Sequence, residues 1–322
     1  MRIGIDARKL SDYGIGTYIR GLLGALAAAG EDEIVAFAPA GAALPAGVEH
    51  VAVDAPHYSL RELAAVGRAA DRAHLDLFHA PHYVVPFTRV PVVVTIHDLI
   101  HLTQPPANPL APFYARAMLG RAVRKARRVL TVSEASKRAI VERLLVAPEN
   151  VAVTPNGIDA RFFEEGPKAE GRYFLFVGND KPHKNVGTLV EAHASMNRDD
   201  VRLVLAGGAN FVSGDDLAAL LRGAVALVMP SAEEGFGLPA AEAMACGTPV
   251  ITSRDAALVE ITGDAALHAD AEPRALAAAM RRLLDDEELR RAMSLRGRER
   301  AKTMTWKRCA ELTRAAYRDA VP

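Results

Sequence analysis

Cysteine is nearly absent from this 322-residue chain, which has only Cys246 and Cys309. Two thiols cannot build a disulfide framework, which excludes a small cross-linked secreted scaffold and points to a reducing compartment. Neither sign of charge is in excess, with 39 Lys and Arg against 39 Asp and Glu. No global field therefore draws nucleic acid or an anionic membrane to the surface, and any bound anion must be captured locally. Long apolar runs are missing too. Stretches such as Val90 to Ile96 are far too short to cross a bilayer. The opening Met1-Arg2-Ile3-Gly4-Ile5-Asp6 runs straight into a charged strand pattern, not the apolar core of a signal peptide. The expected location is the cytoplasm.

What is present is 50% hydrophobic residues, enough for the cores of two ordinary domains. Short β-branched runs recur at 2–6, 33–38, 48–53, 75–79, 90–96, 128–132 and 151–154. Most are continuously apolar, as expected of strands covered on both faces in a parallel sheet. Helical patterns at 16–29, 60–73, 112–127 and 134–145 lie between several of them, which predicts a doubly wound α/β domain. A polar stretch from Glu164 to Arg172, carrying Gly166, Pro167 and Gly171, reads as a linker. The pattern restarts at 173–178, 201–206, 224–229 and 249–252. The expectation is two Rossmann-like domains, 1–164 and 165–322, facing a central cleft. The last helix, 306–320, is amphipathic and could dock on either.

The most informative segment runs from Pro230 through Glu234-Gly-Phe-Gly-Leu238-Pro239 and Glu242 to Gly247-Thr-Pro249. A strand ends at Met229, a glycine-bearing turn follows, and Pro239 sits where it can open a helix that Gly247 and Pro249 close. A helix N-terminus offers free N–H groups and a positive partial charge, a seat for phosphate. Glu234 just before that terminus and Glu242 about two turns later would repel a phosphate, so they suit flanking hydroxyls.

This segment resembles the glutamate-bearing motif of retaining glycosyltransferases of family four, which have the GT-B fold. The resemblance implies that Glu234 contacts the transferred sugar and Glu242 the donor ribose. It also turns the amides of Gly235, Phe236, Gly237 and Leu238 toward sugar and phosphate. Lys184, in a Lys-Asn pair after the strand at 173–178, takes the place of the family's phosphate lysine, and where many relatives have arginine this sequence offers Lys181 and His183 as the second cation. Gly14 and Gly16, after the first strand, would let backbone approach donor or acceptor. Ile19 at the third glycine position argues against a dinucleotide clamp. His97 emerges at the carboxyl end of an apolar strand and takes the role of the family's active-site histidine, with Asp98 holding the imidazole or a nearby loop.

The implied reaction is metal-independent transfer of a sugar, a hexose such as mannose, from a UDP- or GDP-sugar to a carbohydrate or lipid-linked acceptor hydroxyl. It retains configuration, needs no cofactor, and fits bacterial polysaccharide or glycolipid synthesis. His79, His82 and His101 have weaker claims to a role, and with no cysteine near them in sequence a zinc site is not expected. Ser133 reads as a helix N-cap and Asn156-Gly157 as a turn. The basic helix 112–128 reads as a solvated face. Peripheral contact with the inner face of a membrane is the alternative where the acceptor is lipid-linked. One departure stands out: Leu203–Gly208 is followed almost at once by Asn210–Leu217, so the second domain lacks about one α/β crossover, roughly twenty residues. A catalytically weak nucleotide-sugar-binding protein of the same fold is therefore the competing reading, and a nicotinamide-dependent oxidoreductase, suggested only by Gly14-x-Gly16, a distant third.

Overall fold

The computed structural model describes residues 1–55, 59–103, 111–208, 212 and 214–321. Two compact units divide the chain, one of Met1–Gly157 with Trp306–Pro322, the other of Ile158–Thr305.

The first unit runs β1 (Arg2–Asp6), α1 (Ile15–Ala29), β2 (Glu33–Ala38), β3 (Val48–Ala52), α2 (Leu60–Arg72), β4 (Leu77–Ala80) and β5 (Val92–Thr95). It continues through α3 (Ile100–Thr103), α4 (Ala111–Lys125), β6 (Arg128–Thr131), α5 (Glu134–Leu144) and β7 (Val151–Val153). Its seven strands are ordered β3-β2-β1-β4-β5-β6-β7, all parallel. Continuous apolar runs such as Val92–Val94 are buried because both faces carry cores. One core gathers Ile3, Ile5 and Leu77 under α1, the other Val35, Phe37 and Phe78 on the opposite face. Local chemistry sets the helix starts. Ser59 and Glu62 form a reciprocal capping box on α2, and the Ser133 hydroxyl accepts from Ser136 N to cap α5.

The second unit runs β8 (Tyr173–Val177), α6 (Val186–Ala194), β9 (Arg202–Ala206), α7 (Gly214–Gly223), β10 (Ala226–Met229) and α8 (Leu238–Cys246). It closes with β11 (Val250–Thr252), α9 (Ala256–Thr262), β12 (Ala266–His268), α10 (Pro273–Asp285) and α11 (Glu287–Ala301). Five parallel strands are ordered β12-β11-β10-β8-β9. β9 is thus an edge, and the chain passes from it through 207–213 and α7 to β10 on the far side of β8. Among the described residues this sheet thus has one strand fewer than a six-stranded Rossmann half. Residues 209–211 and 213, where the sequence places the break, lie outside the described residues.

The final helix α12 (Trp306–Ala320) belongs to the first unit. Its Cys309, Ala310, Ala316, Tyr317 and Ala320 join the core beneath α1, and the Trp306 indole lies so close to Gly21 that a Cβ there would sit 2.1 Å from it. Arg314 reaches Asp32 at 2.6 Å and Arg128 reaches Asp319 at 2.8 Å. Among the described residues no helix is long and apolar enough to cross a membrane.

Candidate active site

In an open parallel sheet, ligands bind beyond the carboxyl ends of strands where the winding reverses direction. In the second unit that point lies between β8 and β10, which are neighbours in the sheet although their crossovers run to opposite sides. Lys184 follows β8, and Glu234 follows β10. Their side chains meet there, Lys184 Nζ donating to Glu234 Oε1 at 2.6 Å with both largely buried.

The backbone supports the pair from both sides. Lys184 closes a short 3-10 turn (Pro182–Lys184) and Asn185 takes the left-handed conformation, φ 52°, before α6 begins. The Asn185 side-chain amide donates to Pro230 O at 2.9 Å, and Ala232 N donates to His183 O at 2.7 Å, so the two loops are stitched together. Asn185 is therefore more than half of a sequence motif: its side chain ties the lysine loop to the glutamate loop. Asp255 sits behind Glu234 and caps α9 through Ala257 N and Leu258 N, each at 3.0 Å. Burial raises its pKa, with the negative charge of Glu234 adding to the effect.

Gly235 and Phe236 lead into Gly237, which has φ 94° and precedes the first residue of α8 without a side-chain cap. A Cβ on Gly237 would lie 2.5 Å from Leu258 Cδ2, so both conformation and space demand glycine. Phe236 is buried and anchors the turn. Pro239, one residue into the helix, has no N–H, so the anion-facing donors of this terminus are fewer than in an ordinary helix and centre on Leu238 and the turn before it. Glu242 lies on α8, nearly buried, and has no hydrogen-bonding partner among the described residues. Burial pushes its carboxyl up to about 8; Asp159 adds to this and Arg161 opposes it. Lys181 is exposed and begins the 3-10 turn without capping it.

In the first unit His97 stands just past β5, half-buried. Its Nε2 donates to Pro81 O at 3.0 Å, which leaves Nδ1 as the acceptor of the neutral ring. Burial lowers its pKa, against opposing effects from Asp98 and Pro81. Asp98 does not hold the imidazole; its carboxylate accepts from Ile100 N at 3.0 Å and caps its own turn. Ser136 on α5 donates to His97 O at 3.0 Å. Gly14, exposed at φ 57°, opens α1. Gly16 is buried, and a Cβ there would sit 2.4 Å from Leu10 O, so what approaches it closely is the chain's own loop.

The weaker histidines separate by environment. His79 is fully buried and hydrogen-bonded at both ring nitrogens. His82 accepts from Val84 N at Nδ1 and turns Nε2 to within 3.4 Å of Asp6, which also pairs with buried Arg8. His101 packs against the Tyr83 ring. On the basic helix α4, Phe113 is exposed, but Arg121 is engaged internally, over the Phe87 ring at 4.4 Å and donating to Val85 O and Pro86 O. Arg128, just beyond, pairs with Asp319, so this basic stretch is only partly a free charged face.

Two α/β units, each built on a parallel sheet with helices between its strands, have the architecture of the GT-B fold. Residues 13–162 match the family described as Glycosyltransferase Family 4, and residues 209–300 match Glycosyl transferases group 1. The D-inositol 3-phosphate glycosyltransferase of Kineococcus radiotolerans is 30% identical over 325 aligned residues, covering 80% of this chain and 74% of that protein. The O-antigen chain mannosyltransferase B of Escherichia coli is 28% identical, covering 75% of this chain and 74% of its own. Among solved structures, Anabaena HepE in complex with UDP-glucose superposes with a TM-score of 0.76 at 18% identity, covering 99% of this chain and all of that one. The chain belongs to glycosyltransferase family 4.

Proposed function

We infer that the second unit binds a nucleoside-diphosphate sugar and that transfer proceeds with retention at the anomeric carbon. The observation that carries this reading is the Lys184–Glu234 pair at the switch point, directly before the Gly237 turn and α8. A diphosphate carries more negative charge than one carboxylate, so it outcompetes Glu234 for Lys184. The same event frees Glu234 to accept from sugar hydroxyls, and Glu242 takes the ribose hydroxyls. Gly235, Phe236, Gly237 and Leu238 place their backbone along the sugar and diphosphate, with Lys181 as the outer cation.

The difficult step is departure of the diphosphate while positive charge grows on the sugar ring. Lys184 and the Leu238 terminus stabilise the leaving group electrostatically, and Glu234 and His97 orient the sugar. The leaving phosphate oxygen is available to take the acceptor proton. The first unit, with His97, Gly14 and Gly16, is the acceptor side. A UDP- or GDP-hexose is the donor class, in keeping with the mannosyltransferase relative and the UDP-glucose complex of HepE, and the acceptor is a carbohydrate or lipid-linked hydroxyl in glycan synthesis.

A thermal-shift panel of UDP, GDP and their sugars tests the donor site, since a ligand that binds the native state raises Tm. Stabilisation by one nucleotide series in the wild type, and its loss in Lys184→Ala, is the expected result. A panel with no nucleotide response, or one unchanged in Lys184→Ala, would remove the reading. Proton NMR of the product's anomeric signal checks retention.

A further inference from the structure

A chain of buried polar groups crosses the first unit and ends on the ring of His97, and the proposed donor chemistry leaves it without a role. It begins on α12, where the Tyr317 hydroxyl lies 2.7 Å from His79 Nδ1. His79 Nε2 lies 2.7 Å from Thr95 Oγ1, and the same oxygen lies 3.0 Å from the Tyr18 hydroxyl on α1. Tyr317, His79, Thr95 and Tyr18 are all fully buried. The Tyr18 ring then meets the His97 ring edge-to-face, 4.8 Å between centroids at 84°.

Each link has a physical reason to be rigid. A buried hydroxyl or imidazole that loses its partner costs a desolvation penalty, so these groups hold one another in place. Neutral His79 has one donor and one acceptor nitrogen, and here both are engaged. The hydroxyl of Tyr18 is thereby pinned at one end, which fixes the direction of its ring. An aromatic ring so held restricts the imidazole beside it, while Pro81 O fixes the tautomer from the other side.

We propose that Tyr18 is a positioning residue for His97, held in place through Thr95 and His79 by Tyr317 of the C-terminal helix. On this reading the end of the chain contributes to the geometry of a site residue without touching substrate. The proposal rests on the assignment of His97 to the site, but its direct readout does not.

The test is nitrogen-15 NMR of the His97 imidazole in wild type, Tyr18→Phe, Tyr18→Leu and Tyr317→Phe, alongside kcat and KM for the donor. The wild type should show a single neutral tautomer protonated at Nε2. Tyr18→Phe keeps the ring but frees it, Tyr18→Leu removes it, and Tyr317→Phe cuts the outer anchor. The shifts or linewidths of His97 should change most in Tyr18→Leu, less in Tyr18→Phe and least in Tyr317→Phe. A fall in kcat of about 10- to 100-fold in Tyr18→Leu, with KM nearly constant and partial recovery in Tyr18→Phe, is expected of a displaced orienting group. Far-UV circular dichroism and Tm identify any variant that fails to fold, and the milder Tyr317→Phe then carries the test. A His97 ring unmoved in every folded variant overturns the proposal. A perturbed His97 with unchanged turnover supports the positioning and instead sinks the assignment of His97 to catalysis.

Discussion

Lys184 and Glu234 satisfy each other's charge across the junction of β8 and β10, 2.6 Å apart. The contact joins two residues that the proposed mechanism must separate. Lys184→Ala should therefore weaken donor binding and leave a largely buried carboxylate without that partner, while Glu234→Gln should bind nucleoside diphosphate normally and transfer poorly. A loss of about 10²-fold or more in kcat/KM is expected for each, the scale of removing one stabilising group from a developing charge. The double variant should lose less than the sum of the two, because each single change already breaks the shared contact. Strict additivity in a double-mutant cycle would contradict their acting as a unit.

Glu242 predicts an unusual pH dependence. Burial holds its folded-state pKa at about 8 against an ordinary 4.5, so the folded protein favours the protonated form. Its contribution to stability is complete below pH 4.5 and is lost as pH rises through about 8. Glu242→Gln removes that loss. Its Tm should exceed the wild type's by a margin that grows between pH 4.5 and 8, while nucleoside diphosphate affinity falls. Parallel Tm curves across that window would be the opposing outcome.

His79 acts on the acid side. Burial lowers its pKa to about 3 from 6.5, so the unfolded chain binds the proton that the folded protein refuses. Stability from this group is present above pH 6.5 and is lost as pH falls toward 3. Denaturant melts of His79→Gln should lose less stability than wild type between pH 6.5 and 4, even though the variant is weaker at pH 7 for want of its two hydrogen bonds. An unchanged slope would show that the ring is not held neutral.

Gly21→Ala tests the seat of α12. The added methyl falls inside the Trp306 ring system, and the indole must move or the helices must part. Overpacking of this kind costs about 1–3 kcal/mol, which should lower the Tm of the unit by several degrees. Chemical denaturation followed by the fluorescence of this single tryptophan reads the effect directly.

Much of this was legible before any coordinates. Apolar runs without alternation announced parallel sheets, and the start and end of α12 at Trp306 and Ala320 coincide with its amphipathic pattern. The Glu234–Glu242 segment was recognisable because strand end, turn and helix start each leave a residue-level mark. β12 (Ala266–His268) left none, since unlike the equally short β7 and β11 it holds no β-branched residue to mark it. Sequence also separated Lys184 from Glu234 by fifty positions, and only the order of β8 beside β10 brings them together. For Asp98 the sequence left two partners open, the His97 imidazole or a nearby loop, and the structure shows the loop, because adjacency in sequence does not say where a short carboxylate turns and here it accepts from Ile100 N. Tyr18 passed unnoticed, since a tyrosine on a buried helix stripe looks like core until its hydroxyl's partners are known.

The placement of α12 sets a timetable for synthesis. The first unit is nearly all translated by Gly157, yet its core stays open on the α1 side until Cys309, Ala316 and Tyr317 arrive. The second unit, made in between, can close on its own while the earlier one waits on the ribosome with apolar surface uncovered. A nascent chain stalled after Thr305 should thus be a substrate for chaperones, and emergence of the last helix from the exit tunnel should release it.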